Sequence, residues 1–156
     1  MQIHEVNEAP LTPAELGAWR GLLRVHSALV RQLDADLRLA HDLSLQEDEV
    51  LLTLAAAPEQ RMRMSDLAAA VLLSQSGLTR LVDRLVRAGS VERARCLTDR
   101  RGFNAELTSA GHRRLQQARP THLAGVHSRF LDHFDETELH AFAGFWERVL
   151  PGATAE

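Results

Sequence analysis

Apolar residues recur at helical spacing over most of this chain, and only a few short stretches depart from it. Leu16, Trp19, Leu22, Leu23, Leu29, Val30, Leu33 and Leu37, with His26 among them, form one broad stripe. Thr12, Pro13 and Glu15 supply its start: a Thr cap, Pro at the first helical position and Glu at the third. The pattern predicts a helix to about His41. It would be roughly thirty residues long, or ~45 Å at ~1.5 Å per residue. A rod of that length cannot be buried within one small domain. Its stripe is expected to meet a partner chain as well as its own core.

Ser44 and Glu47 form a second capping box, opening a helix to about Ala57 that Pro58 ends. Arg61 to Met64 reads as a very short strand, and Ser65 as the cap of a short helix from Asp66 to about Val71. Ser74 caps the next helix, which runs to Ala88 with Gly89 as its stop. Val91 to Leu97 and Phe103 to Leu107 read as two strands around the turn Thr98-Asp99-Arg100-Arg101-Gly102. Thr108 caps another long helix, which Pro120 is expected to kink or split. Asp135 and Glu138 open a last helix carrying Leu139, Phe142, Phe145, Trp146 and Val149, ended by Pro151 and Gly152.

The composition agrees with a helical answer. At 156 residues, 45% hydrophobic and only 4% aromatic with no Tyr, the chain must build one core mostly from Leu, Val and Ala. Charge changes the picture more. The chain is net −3, yet nine of its eighteen arginines fall between Arg61 and Arg101 with only four acids, a local charge of about +5. A basic helix beside a basic hairpin on an acidic chain points to a surface that faces nucleic acid.

The helix after Ser74 sorts into two faces. Leu78, Leu81, Val82, Leu85 and Val86 make the face expected to be buried. Gln75, Ser76, Thr79, Arg80, Asp83, Arg84 and Arg87 make the other. Short polar side chains at the start, with Ser74, let the backbone approach base edges, and the arginines reach guanine or phosphate. A merely solvated face would mix Glu with Arg, and here Asp83 is the sole acid. Arg100 and Arg101 on a tight turn can enter a minor groove, and Asp99 beside them can fix an Arg by a charge-assisted bond. The competing reading is a winged protein-interaction module. The Arg-rich face argues against it, since protein interfaces usually carry an apolar centre.

Other chemistries find little footing. Cys96 is the single cysteine, which excludes an intrachain disulfide and fits a reducing compartment. No run approaches ~18 apolar residues, so no membrane span is expected. Residues 1–10 are polar, lack a signal-peptide pattern and are expected to form a loose tail. The protein is read as cytoplasmic. His122, His127 and His133 are spaced by 5 and 6, which does not align them on one helical face, so no metal site is expected. No nucleophile with a paired base, phosphate loop or carboxylate dyad stands out, and neither an enzyme nor a cofactor is expected.

The run Ser74-Gln75-Ser76-Gly77-Leu78-Thr79-Arg80-Leu81-Val82-Asp83-Arg84-Leu85 is followed by Gly89, then Asp99-Arg100-Arg101-Gly102, then Leu107-Thr108-Ser109-Ala110-Gly111. Over about Ser44 to Leu115 the chain resembles the MarR family of winged helix-turn-helix regulators. The resemblance implies a mainly α fold with a small β-wing. Residues 44–107 would form the winged helix-turn-helix, and residues 11–43 and 108–150 the dimerisation helices. It implies a homodimer on a pseudo-palindromic site in double-stranded DNA. Ser74, Gln75, Ser76, Thr79, Arg80, Arg84 and Arg87 would lie in a major groove. Arg100 and the wing Arg101, with Asp99 as its partner, would lie at a minor groove. It further implies a repressor released by a small aromatic or phenolic anion. Trp19, Arg20, Leu23 and His26, with Asp66 and Leu67, are the expected lining of the ligand cleft, where an Arg would neutralise a carboxylate and a Trp stack on a ring. The plainer role for Trp19 and His26 is in the core of a dimer. Cys96, near Arg93 and Arg95, is read as an inert strand residue.

Overall fold

The computed structural model describes residues 9–95 and 102–154. Six α-helices and three short strands follow in the order α1 (Pro13–His41), α2 (Leu45–Ala56), β1 (Arg61–Arg63), α3 (Met64–Ala70), α4 (Gln75–Arg87), β2 (Val91–Arg95), β3 (Phe103–Leu107), α5 (Ser109–Arg129) and α6 (Glu136–Val149). The caps read from the sequence set most of the starts. Thr12, Ser44 and Asp135 each accept from the third helical amide of α1, α2 and α6, and Glu15, Glu47 and Glu138 reach back to the cap N–H. Ser74 and Thr108 accept from Gly77 and Gly111 at the heads of α4 and α5. Asp42 ends α1 in the left-handed region (φ 49°), which Asp tolerates better than most residues.

The strands form one antiparallel sheet in the order β1-β3-β2, with Met62 opposite Ala105 and Val91 opposite Leu107. Leu37 and Leu43 from the end of α1, Leu51 and Leu54 of α2, Leu67 of α3, Leu78 and Leu85 of α4 and Val91 of β2 are almost completely buried in one cluster. The core therefore sits under α4 and fixes that helix from behind. Gly111 closes the back of the fold. A Cβ there would lie 2.0 Å from the Ser90 carbonyl oxygen, so only glycine lets the first turn of α5 rest on the strand entry. Thr108 adds a second tie, donating its hydroxyl to the Gly89 carbonyl at 2.7 Å.

Three expectations are corrected. The third helix begins at Met64 with Arg63 as its N-cap and no side-chain cap bond, so Ser65 lies inside it. Pairing of β1 with β3 carries the extended chain through Arg63 and sets this start instead. Pro120 does not split α5, which is one helix through Arg129. Ala118 and Gly125, buried on either side of the proline, anchor both halves of α5. Val86 is 37% exposed rather than part of the buried face of α4.

Both ends of the chain carry uncovered apolar surface. Trp19, Leu22, Leu23, Val25 and Val30 of α1 are each at least 40% exposed. No residue of α6 is buried, and Phe145 and Val149 are exposed. The aromatics there pack chiefly on one another: Phe134 on Phe142 edge to face at 4.8 Å, and Phe142 stacked on Trp146 at 6.0 Å.

Candidate nucleic-acid interface

The outer face of α4 is held by ion pairs from two sides. Arg84 Nε lies 3.0 Å from Glu47 Oε1 on α2, and Arg93 Nη1 of β2 lies 3.0 Å from Asp83 Oδ1. Arg93 also donates to the Thr79 carbonyl at 3.4 Å. Glu47 is buried, and its other oxygen accepts from the Ser44 N–H at 2.9 Å. Burial opposes its ionisation, but the Ser44 amide and the Arg84 guanidinium outweigh that and hold the carboxyl below its usual pKa. The acid the sequence placed on the outer face, Asp83, thus faces a strand arginine.

These ties sort the predicted DNA-facing residues. Ser74, Gln75, Ser76, Thr79, Arg80, Arg84 and Arg87 are all exposed. Ser74 spends its oxygen on the Gly77 amide at 3.1 Å, and Thr79 donates its hydroxyl to the Gln75 carbonyl at 2.8 Å. Arg84 is tethered to Glu47. Gln75, Arg80 and Arg87 have no side-chain hydrogen bond or ion pair among the described residues, and Ser76 meets only Ser74, at 3.3 Å. They are the groups left free to meet an external surface. Asp99, Arg100 and Arg101 lie outside the described residues, as does Cys96.

Most of the expected ligand residues lie at the surface. Trp19 and Leu23 are 54% and 47% exposed, and Arg20, His26 and Asp66 are exposed too. Leu67 is completely buried in the core, so it packs there rather than facing an open cleft. Two surface hollows are formed elsewhere. One of about 430 Å³ lies between α3, α4 and the strands, lined by Arg63, Ser65, Thr79, Arg93 and Phe103 among others. The other, about 600 Å³, lies where the end of α1 meets the start of α5.

Sequence reasoning missed the long-range pairs. Glu47 was visible only as a capping residue, and nothing local marks Arg84 as its partner 37 residues on. His122 of α5 pairs with the buried Asp48 of α2 at 3.0 Å, and Arg129 with Asp36 across α1 and α5 at 2.6 Å.

Residues 41–102 match the family model described as MarR family. The crystal structure of AbsC, a MarR family transcriptional regulator from Streptomyces coelicolor, is 35% identical, with 90% of this chain and 95% of that one covered and a TM-score of 0.85. The chain belongs to the MarR family. A second family member from Streptomyces coelicolor, Sco3205 solved in complex with DNA, is 29% identical over 95% of this chain and 94% of that one, with a TM-score of 0.88. The HTH-type transcriptional repressor YetL of Bacillus subtilis (strain 168) is 31% identical over 100 residues, which span 64% of this chain and 59% of that relative. The MarR match takes in α2, β1, α3, α4 and β2 together, the elements that carry the exposed arginines and the ion pairs behind them. Among the described residues no helix is long and apolar enough to cross a membrane.

Proposed function

We propose that this chain is a sequence-specific DNA-binding transcriptional regulator. It acts in the cytoplasm as a homodimer and represses its target genes. The observation that carries this reading is α4. Its outer face presents Gln75, Arg80 and Arg87 free, with Ser76 bonded only to Ser74, on a helix braced by Glu47 and Arg93. A rigid helix with short polar groups at its head and uncommitted guanidiniums along its side suits a major groove. The DNA-bound relative Sco3205 and the repressor YetL support it.

The homodimer follows from the uncovered apolar residues of α1 and α6. Exposed aromatic and aliphatic groups on two terminal helices are best covered by the same helices of a second copy. Two copies of α4 would then face successive turns of a pseudo-palindrome, and the residues at the wing tip, Asp99, Arg100 and Arg101, would reach the flanking minor grooves. Release from the operator is effected by a small aromatic or phenolic anion. It rests on Trp19, Arg20, Leu23 and His26 with Asp66, whose exposed side chains would line a cleft only when a second chain lies against α1.

The test is selection of bound fragments from the source genome, followed by anisotropy titration of the best fragment. Nanomolar, salt-dependent binding to a two-fold symmetric sequence is expected, weakened strongly by Arg80→Ala and by Arg101→Ala. Failure to retain any fragment at low ionic strength overturns the reading.

A further inference from the structure

The hollow at the α1–α5 junction is distinct from the DNA-facing surface. Its lining runs through the last turn of α1, Arg38 to Asp42, and the first two turns of α5, from Ala110 to Gln117. It holds three guanidiniums, Arg38, Arg113 and Arg114, against the single carboxylate of Asp42. Each arginine keeps donors to spare. Arg38 places Nε on Asp34 at 2.6 Å and is 60% exposed. Arg114 donates one nitrogen to the carbonyls of His41 and Asp42, closing the end of α1. A guanidinium carries five N–H donors, so most of both remain available. Arg113 is exposed and has no hydrogen bond or ion pair among the described residues.

The hollow lies toward the C-terminal end of α4, away from its head. Ala110 follows Thr108 by two residues, and Thr108 is bonded to Gly89 at the C-terminal end of α4. The head of α4 at Ser74 is a 13-residue helix away, about 20 Å. None of the residues lining the hollow belongs to the predicted DNA-facing set of α4.

We propose that the α1–α5 hollow is a binding site for a small organic polyanion carrying two or more phosphate or carboxylate groups. Three guanidiniums on two helices match several acid groups held a few ångströms apart better than one. At about 600 Å³ the space suits a small metabolite. Such a ligand would bridge Arg38 of α1 to Arg113 and Arg114 of α5.

The experiment is calorimetric titration of the full-length protein with pyrophosphate and, separately, with citrate, at ionic strength held constant with sodium chloride. Saturable binding of at least one is expected, and the two arms distinguish a phosphate site from a carboxylate site. Arg113→Glu, and independently Gln117→Glu, are each expected to raise the half-saturation concentration by at least about tenfold, because each puts a negative charge in the hollow. Arg80→Ala on the outer face of α4 is expected to leave it unchanged. Far-UV circular dichroism checks that each variant is folded, and two separate positions guard against the loss of one. The proposal is overturned if neither anion saturates, if both charge-reversed variants bind as the parent does, or if Arg80→Ala abolishes binding while they do not.

Discussion

Arg84 on α4 and Glu47 on α2 meet at 3.0 Å, and the same Glu47 closes the capping box that starts α2. One carboxylate thus fixes the head of one helix and the flank of another. Two of the roles read from the sequence fall on this pair: Glu47 as a cap and Arg84 as a DNA contact. The cap is made as expected. The Arg84 guanidinium is at least partly spent on bracing the helix that would carry the contact.

Glu47→Ala is therefore expected to cost about 1–3 kcal/mol, since it removes charge-assisted bonds at a buried position. Arg84→Ala should cost less than ~1 kcal/mol, because its side chain is 48% exposed and solvent screens it. The pH sign follows from the lowered pKa of Glu47. Its contribution is present above its unfolded value near 4.5 and is lost as pH falls through the lower folded value. Urea denaturation of both variants checks the order, and equal costs would mean that the cap made by Glu47 adds nothing beyond its pair with Arg84.

On DNA, Arg80 and Arg84 of α4 should part. Arg80 has no partner among the described residues, so Arg80→Ala should leave stability within ~0.5 kcal/mol. It should weaken operator binding by about 1–3 kcal/mol if it reads a base, or lower the salt slope by about 1 if it meets a phosphate. Arg84→Ala should lower affinity and stability together. Anisotropy titrations across a salt series, read beside the denaturation curves, separate them. An Arg80→Ala protein that binds like the parent would remove Arg80 from the interface.

The element starts were legible because their determinants are local. Thr12, Ser44, Ser74, Thr108 and Asp135 each cap the helix that follows them. The start of α3 was not, because strand pairing between Arg63 and Asn104, 41 positions apart, decides where the extended chain stops. Pro120 misled for a related reason: a proline removes one N–H, but packing on both sides keeps the helix whole. The polar and apolar faces of α4 were readable at one-residue resolution apart from Val86. The bracing pairs Glu47–Arg84, Asp83–Arg93 and Asp48–His122 were not, since a charge gives no sequence clue to a partner on another element.

His122 supplies a pH signature of opposite sign. The Asp48 carboxylate 3.0 Å away raises its pKa above 6.5, and burial pulls the other way. A raised folded pKa means the contribution is fully present below about 6.5 and is lost as pH climbs through the folded value. The parent protein should therefore lose stability relative to His122→Gln as pH rises from 6.5 through the raised folded value. Denaturant midpoints of the two proteins measured in parallel decide this. A gap between them that does not change with pH would mean the pair contributes no proton-linked stability.

The glycines rank by what a methyl group would strike. At Gly111 the obstacle is backbone, the Ser90 carbonyl oxygen at 2.0 Å, so Gly111→Ala must move α5 or the entry to β2. A loss of about 3 kcal/mol or outright failure to fold is expected. At Gly125 the nearest atom is Leu33 Cδ2 at 2.6 Å, the end of a flexible side chain, and Gly125→Ala should cost about 1–2 kcal/mol. Gly17 in α1 has nothing within 4 Å, and there Ala should stabilise by about 0.5–1 kcal/mol through helix propensity. Thermal melts of the three variants give the order directly. A Gly111→Ala protein as stable as the parent would mean that the contact between α5 and Ser90 is not as close as it stands here.

The exposed stripe of α1 allows a direct test of assembly. Trp19 and Leu23 are about half exposed in one chain, four residues apart on one helix face, and well before Leu37, the buried residue of α1. Trp19→Glu together with Leu23→Glu should therefore leave a folded monomer, while placing four carboxylates in the interface of a dimer. Light scattering of the parent protein is expected to give twice the chain mass, and of the double variant the chain mass or a strongly concentration-dependent mixture. Operator affinity should fall by at least about a hundredfold, because one α4 then binds without the second to raise its effective concentration. If the variant remains a dimer with unchanged affinity, the partner surface lies elsewhere, and α6 with Phe145 and Val149 becomes the place to put the charge.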